Sequence, residues 1–502
     1  MKRLSNYLSK TPNAVVALFG AYFLLQIVVR YFTPPTLRVD EAQQVLFAQW
    51  LALGYDAQPP LYNWYQQAIF ALFGTSMVTI AFAKNLILFL TFAVYIKTAE
   101  LVLENKRFVA VSAFALFIIP QVFWQAQRDL THTAMLMLTF ALLIYGSIRL
   151  IKRPSTVGYV LIGVIAGLGM LSKYNFALAL PAVLVAVWFH PQGRERLLDK
   201  RFALTILASL VVFLPHLLWL TDNLIFASEV TLERMAEGAP ESRFLQIAHG
   251  LGRFISGSLI IIALPALLLF LATIAENKIS HRSQSVWFRF FLNYFIAMVS
   301  LMAIVILMTT MTELRDRWLL PLLMPAPILA ALYLERSIAD SERFIAKFLP
   351  IPLVALVVVP LVLVLSHPLF AALGRASNSN YNWAQFKSQV IDAGNLSPSV
   401  IVTPNWPTGG NVRFNFSTVP VASTTYDDYD PAFTLSEHHP ALLVWTGDEN
   451  KLPLLLKWLE EQLNAKFRNV PISIADVQLY YPVENKVMRV YYAVVRPSDI
   501  ER

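Results

Sequence analysis

The sequence has no cysteine among its 502 residues. That excludes a disulfide framework, a thiolate nucleophile and a cysteine-based zinc site. Charge is also scarce. Asp, Glu, Lys and Arg make up 14% of the chain, against about 25% in an ordinary soluble domain. There is no HExxH pair and no His pair at i,i+4 spacing on a helix, so zinc hydrolysis is not indicated. The lack of a glycine-rich phosphate loop argues against a nucleotide-sugar or ATP substrate. No fixed-period repeat or low-complexity stretch interrupts the chain. The net charge of +8 invites a nucleic-acid reading, but the Lys and Arg residues lie between long apolar runs. In a membrane protein that is the pattern of cytoplasmic loop charge. No nucleic-acid partner is expected.

What the sequence has is apolar length: 57% of it is hydrophobic. A helix needs about 20 mostly apolar residues to cross the hydrocarbon. Eleven candidate runs, several of them shorter than this, lie at 13–32, 77–97, 108–121, 132–150, 156–172, 175–189, 202–220, 248–275, 288–310, 318–334 and 348–366. The first is too long for a signal-peptide core, and no small-residue cleavage site follows it. With the N-terminus in the cytoplasm, the inner segments carry Lys2, Arg3 and Lys10; Lys106 and Arg107; Arg149, Lys152 and Arg153; Arg194, Arg196, Lys200 and Arg201; Lys278, Arg282 and Arg289; and Arg336, Arg343 and Lys347. The outer loops, longer in total, carry only Arg38, Arg128, Lys173, Arg234, Arg243, Arg315 and Arg317. The positive-inside rule selects this orientation. The fold expected is a polytopic α-helical membrane domain of about 11 spans over residues 1–366. Residues 367–502 are polar and form a small α/β domain outside the membrane. Its expected strands are Ser399–Thr403, Ala441–Thr446, Ile472–Tyr481 and Val487–Val495, and its expected helices are Trp383–Ala393 and Leu452–Phe467.

The first outer loop, 33–76, is long and not simply polar. Val45, Leu46, Gln49, Trp50 and Leu53 keep helical spacing, and so do Leu61, Trp64, Tyr65, Ala68, Ile69 and Leu72. Amphipathic helices carrying Trp and Tyr suit the membrane interface. The loop is therefore expected to lie along the outer surface and to hold Asp40 and Glu41 at the lipid–water boundary. Adjacent carboxylates there can do acid/base work or hold a sugar or a metal. They can equally favour a helix N-terminus through the macrodipole.

Asp40-Glu41 after the first span, then Gly54-Tyr55-x-x-Gln58-Pro59-Pro60-Leu61, then Phe73-Gly74, resembles the membrane glycosyltransferases of the protein O-mannosyltransferase and aminoarabinose transferase superfamily. The wording Asp-Glu-Ala-Gln-Gln and Ala-Gln-Pro-Pro-Leu-Tyr is similar to the bacterial branch that contains rhizobial lipid A and lipopolysaccharide-core galacturonosyltransferases. The resemblance covers roughly residues 10–335. Gln43 and Gln58 depart from the Tyr or Trp and the His that many relatives carry there, and this leaves the sugar open. The resemblance implies the C-type glycosyltransferase fold and a polyprenyl-phosphate sugar donor. It implies Asp40, Glu41 and Asp129 as the acidic site residues, Asp129 lying in Gln127-Arg128-Asp129 after the third span. Lys173 in Ser172-Lys173-Tyr174 matches a family segment. Arg317 falls where the family has Arg-aromatic-Leu-Leu-Pro, and Lys84, two turns inside the second span, falls where it often has Arg. Lys84 is also a candidate in its own right, because a charge at that depth is costly. The bland alternatives are a helix cap with a surface ion pair for Arg128-Asp129, snorkelling for Lys173, and a solvated pair for Arg315-Asp316.

The expected chemistry is inverting transfer of a sugar, with a uronic acid among the candidates, to a lipid A, lipopolysaccharide or other surface-glycan acceptor at the periplasmic face of a bacterial inner membrane. Asp40 serves as general base, Glu41 assists or caps the loop, and Asp129 orients the acceptor or a basic partner. Lys84, Lys173 and Arg317 neutralise the phosphate leaving group. Gln58, Tyr62, Tyr174 and Arg128 line the substrate pocket. No cofactor is required, although a divalent cation between the acids is compatible with the chemistry. His132 and His216 are read as packing or supporting groups. The cluster Asp427, Asp428, Asp430, His438 and His439 has cation-binding groups but lacks the twelve-residue calcium-loop pattern and is read as a solvated loop, and 221–247 as either a lid or a surface helix. The rival readings are a lipid or sugar transporter or flippase, a protein O-glycosyltransferase of the same superfamily, and a non-catalytic scaffold.

Overall fold

The computed structural model describes residues 2–501 apart from Ala57, 237–239, Glu241, 275–282, Thr310, Ala393 and 427–428; for Lys2, Arg3 and 224–235 it describes the backbone alone. Asp427 and Asp428 of the proposed acidic loop therefore lie outside the described residues. So do Glu237 and Glu241 of the 221–247 segment and the side chains of Glu229, Glu233 and Arg234.

Every one of the apolar runs falls on a helix or a bent helix pair. Among the described residues, seven helices are long and apolar enough to cross a membrane: Pro12–Tyr31, Met77–Val102, Thr131–Lys152, Phe202–Asn223, Arg243–Ile274, Val286–Met308 and Ser341–Ala372. The number rises to ten if each of three bent pairs counts as one span, and Thr156–Ser172 is a shorter apolar helix of 17 residues. The chain is a multi-pass membrane protein. Several of its helix starts carry side-chain caps of the usual kind: Asn105 accepts from the Arg107 N–H, Ser155 from Gly158 and Ser285 from Phe288. The pair Lys106–Phe117 and Gln121–Arg128 bends by 65°. Pro120, which has no N–H to offer the preceding turn, sits at the break, and a π-turn over Gln121–Gln125 follows it.

By internal contacts the chain divides into two compact units. One comprises Met1–Gln26, Leu53–Tyr62 and Lys84–Val359; the other comprises Ile27–Ala52, Asn63–Ala83 and Pro360–Arg502. In the first unit Gly163 and Gly167, one turn apart on Thr156–Ser172, meet the helix that begins at Phe202. A Cβ on either glycine would come within 2.3 Å of Thr205 O or 2.7 Å of Val212 Cβ. Small residues at i and i+4 let two membrane helices approach this closely. The helix Phe202–Asn223 otherwise leaves Ile206, Leu207, Leu210 and Val211 exposed, a surface suited to hydrocarbon and not to water.

In the second unit a five-stranded sheet runs in the order β2 (Val421–Ser423), β1 (Val400–Thr403), β3 (Ala441–Thr446), β5 (Lys486–Val495) and β4 (Ser473–Val483). The β1–β2 and β1–β3 pairs are parallel, and β3–β5 and β4–β5 are antiparallel. The helix Leu452–Leu463 covers one face through Leu455, Trp458 and Leu459, packed with Val400, Leu443 and Trp445. The expected strands appear within two residues of their limits. The expected helix from Trp383 is shorter and ends in a π-turn over Ser388–Asp392. Two elements were not expected: β2 and the helix Trp406–Asn415.

Candidate functional site

In the first unit the candidate cations and Asp129 stand on neighbouring segments tied by hydrogen bonds. Lys84 is 2% exposed, and its Nζ donates to the Gln127 carbonyl at 3.4 Å. Arg128 is exposed and Asp129 half-buried. The backbone then turns sharply: Asp129 is extended, Leu130 is left-handed at φ 77°, and a new helix starts at Thr131. A left-handed leucine costs about 1–3 kcal/mol and persists only where its surroundings hold it; Leu130 is 2% exposed. One turn on, Thr133 Oγ1 accepts from the buried Lys173 Nζ at 3.0 Å. Asn175 Nδ2 donates to the Trp318 carbonyl at 3.2 Å, which ties the Lys173–Asn175 segment to the turn that carries Arg317. Asp316 begins the helix at that turn, and its carboxylate accepts from the Arg317 N–H at 2.8 Å and from Gln121 Nε2 at 2.8 Å. Arg317 itself is half-buried and has no ion-pair partner among the described residues.

Two histidines hold the motif around Gln58 in the same unit. Tyr55 and Gln58 exchange backbone hydrogen bonds at 3.3 and 3.0 Å. Tyr62 is fully buried with its ring 5.7 Å from that of His132. His216, also fully buried, has Nδ1 2.7 Å from the Leu53 carbonyl and Nε2 3.1 Å from Tyr174 Oη. A carbonyl can only accept, so Nδ1 carries the proton and Nε2 accepts from the phenol. Both histidines thus support residues of the expected pocket.

The acidic pair lies in the second unit, on the loop helix Val39–Phe47. Here the structure departs from the expected interfacial helix. The helix ends at Phe47, so Trp50 and Leu53 lie beyond it. Its apolar residues Ala42, Val45, Leu46 and Phe47 are buried under protein: the helix Trp406–Asn415 packs along it, and Tyr426 meets Phe47 with ring centroids 4.6 Å apart. The side chain of Trp50 stacks on Tyr429 at 4.6 Å. Asp40 is half-buried. Glu41 is 1% exposed and faces inward, where its carboxylate accepts from Arg30 Nη2 at 2.8 Å, Arg30 Nε at 3.3 Å and the Arg38 N–H at 3.1 Å. Arg30 also donates to Thr33 Oγ1, Pro34 O and Thr36 O at 2.7–3.0 Å, so one guanidinium gathers the whole entry into the loop. Sequence reasoning missed Arg30. The available signal was a charge inside the last turn of an apolar span, which needs a partner.

Among the described residues no group of three or more His, Asp or Glu side chains is arranged to hold a metal ion. Of the Asp40-Glu41 pair, Glu41 is ion-paired with Arg30 and Asp40 is half-buried.

Residues 57–219 match the family model described as dolichyl-phosphate-mannose-protein mannosyltransferase. Over 96% of its length the chain is 34% identical to the lipopolysaccharide core galacturonosyltransferase RgtB of Rhizobium johnstonii, covering 97% of that protein. It is 34% identical to RgtA of the same organism over 88% of both chains, and 28% identical to the lipid A galacturonosyltransferase RgtD over 42% of its own length and 44% of RgtD. In fold it is similar to ArnT from Cupriavidus metallidurans, crystallised with undecaprenyl phosphate: TM-score 0.58, 15% identity, covering 98% of this chain and 100% of that one. The chain belongs to the family of membrane glycosyltransferases that contains the lipopolysaccharide core galacturonosyltransferases.

Proposed function

We propose that this glycosyltransferase moves a uronic acid, galacturonic acid foremost, from a polyprenyl-phosphate donor to the core or lipid A part of lipopolysaccharide at the periplasmic face of the inner membrane. The observation that carries the reading is likeness over nearly the whole length of a named lipopolysaccharide core galacturonosyltransferase. The polyprenyl-phosphate donor is supported by the bound lipid of ArnT and by three cations in the first unit. Two are buried lysines and the third is an arginine without an ion-pair partner among the described residues. Phosphate leaving from a water-poor site needs such charge, because fixed cations there act more strongly than in water.

In this reading Lys84, Lys173 and Arg317 hold the donor phosphate. Asp40 takes the proton from the acceptor hydroxyl as it attacks the anomeric carbon, and the phosphate leaves from the opposite face in a single displacement that inverts the centre. Asp129 orients the acceptor, and Gln58, Tyr62, Tyr174 and Arg128 shape the pocket. Glu41 fixes the loop through Arg30. The cytoplasmic N-terminus, eleven spans and periplasmic C-terminal domain (367–502) belong to the same proposal and rest on the distribution of Lys and Arg. Deleting the gene and comparing lipid A, core and surface glycans by mass spectrometry tests it. The expected result is loss of one hexuronic acid from lipopolysaccharide; an unchanged glycan profile refutes it.

A further inference from the structure

The C-terminal part of the second unit grips the loop helix through backbone. Asn411 Oδ1 accepts from the Leu37 N–H at 2.8 Å, and its Nδ2 donates to the Leu37 carbonyl at 3.1 Å. One side-chain amide thus occupies both backbone groups of a residue three positions before Asp40. Gly410 lies against the first turn of the loop helix, and a Cβ there would stand 2.0 Å from the Ala42 carbonyl. Gln49 repeats the device at the other end: its Nε2 donates to the Val421 carbonyl and its Oε1 accepts from the Val421 N–H, both at 2.9 Å. Gln43 Nε2 donates to Tyr426 Oη at 3.0 Å. Thr36 Oγ1 donates to the Tyr381 carbonyl. These contacts bracket Asp40 on both sides of the chain, and none uses its carboxylate. Two of them, at Asn411 and Gln49, are bidentate pairings that fix orientation as well as distance.

We infer that this C-terminal segment is a clamp that positions the catalytic loop, with Gly410 and Asn411 as positioning residues for Asp40. The inference rests on the assignment of Asp40 as general base. The helix Trp406–Asn415 packs along the nine-residue loop helix, an arrangement that surface recognition alone would not require. The tight Gly410 approach and the paired amides set where the loop helix begins. A base displaced by about 1 Å loses about 10²-fold in rate, so positioning of this kind should read out in kcat.

The test uses the full-length protein in lipid nanodiscs, with labelled polyprenyl-phosphate galacturonate and isolated lipopolysaccharide core. Gly410→Ala should lower kcat by about 10²-fold and leave the donor KM within a few-fold, since the donor residues are untouched. Asn411→Ala should act in the same direction. In a Val39→Cys background, an exposed position beside Asp40, both should speed maleimide labelling. Leu459→Ala weakens the domain's own core away from the loop helix and should lower thermal stability while leaving kcat unchanged. If Gly410→Ala does not accumulate, Asn411→Ala and the milder Gln49→Ala decide. Wild-type kcat in folded clamp variants overturns the inference, as does a kcat loss in Leu459→Ala equal to that of the clamp variants. Asp40→Asn, run alongside, separates the two ideas. An active Asp40→Asn overturns the base assignment, whereas an inert one beside fully active clamp variants overturns the clamp alone.

Discussion

Glu41→Gln is the sharpest probe of how the acidic loop is held. The Arg30 and Glu41 side chains are 7% and 1% exposed. Losing one partner of a buried ion pair leaves the other charge uncompensated and typically costs about 3–5 kcal/mol. Arg30 keeps three other oxygen acceptors in this loop, and glutamine still offers one acceptor, so the expected loss lies at the lower end, about 3 kcal/mol. For a unit of 150–250 residues each kcal/mol moves Tm by about 2–4 °C, which gives a fall of about 6–12 °C. The assay is thermal unfolding of nanodisc-embedded protein followed by tryptophan fluorescence, since Trp50 packs against Phe47 and Tyr429 in the same unit. The double variant Arg30→Gln with Glu41→Gln removes both charges and should recover part of the loss, giving a coupling energy of about 0.5–3 kcal/mol. A Glu41→Gln protein that melts within 1–2 °C of wild type, or a double variant with the sum of the single losses, would refute the reasoning.

Other expectations concern chemistry and topology. Asp40→Asn keeps size and removes the base; transfer should fall by about 10²–10⁴-fold with donor binding intact, and activity within a few-fold of wild type would remove Asp40 from that role. Alanine at Lys84, Lys173 or Arg317 should weaken polyprenyl-phosphate binding, with pairs non-additive because the charges share one partner, and Lys173→Arg should retain more activity than Lys173→Ala; strictly additive losses would argue for separate roles. Leu130→Gly accepts a left-handed backbone and Leu130→Val does not, so if the turn after Asp129 matters, the glycine variant should be the more active of the two; the reverse order would mean that the leucine side chain matters more. Because the protein is cysteine-free, single cysteines at Ser377 or Ser417 should react with an impermeant reagent from the periplasmic side and one at Ser280 should not. Reversed labelling would invert the topology.

The membrane part was legible because its physics is one-dimensional. A run of apolar residues long enough to span must be helical, since no water is present to satisfy its backbone, and each of the apolar runs, the short ones included, lies on a helix or bent pair. The strands at Ala441 and Val487 were legible for a similar reason: β-branched and aromatic residues cluster between turn residues. The helix Trp406–Asn415 was not, because Pro407, Gly409 and Gly410 read as a loop. Its start is nevertheless encoded. Asn405 Oδ1 accepts from the Thr408 N–H, and Pro407 sits in the first turn, the favoured arrangement of a capped helix start. The two glycines do not break the helix because they serve an outside need, close approach to the loop helix, which a single sequence cannot reveal.

The site divides along the same line. Lys84 is legible as a candidate because a charge in a span stands out by itself, and the acids because two adjacent carboxylates do. Arg30 is buried too, but it sits one residue from the end of its span, where an arginine usually snorkels to water. Only the fold of residues 33–41 back onto the helix end turns it from an anchor into the partner of Glu41. Asn411 lies more than 360 residues beyond the acids in sequence, and its chemistry is that of an ordinary amide until the Leu37 backbone is placed opposite it. Groups that act by their own charge declare themselves in sequence. Groups that act by placing another residue do not: Arg30, and on the inference above Gly410 and Asn411, carry no such sign. The loop motif is therefore necessary for the proposed chemistry but not sufficient to build it. On the proposal above, a chain that kept Asp40-Glu41 and lost Arg30 or the Gly410-Asn411 pair should keep the recognisable motif and lose the placement that the proposed base needs.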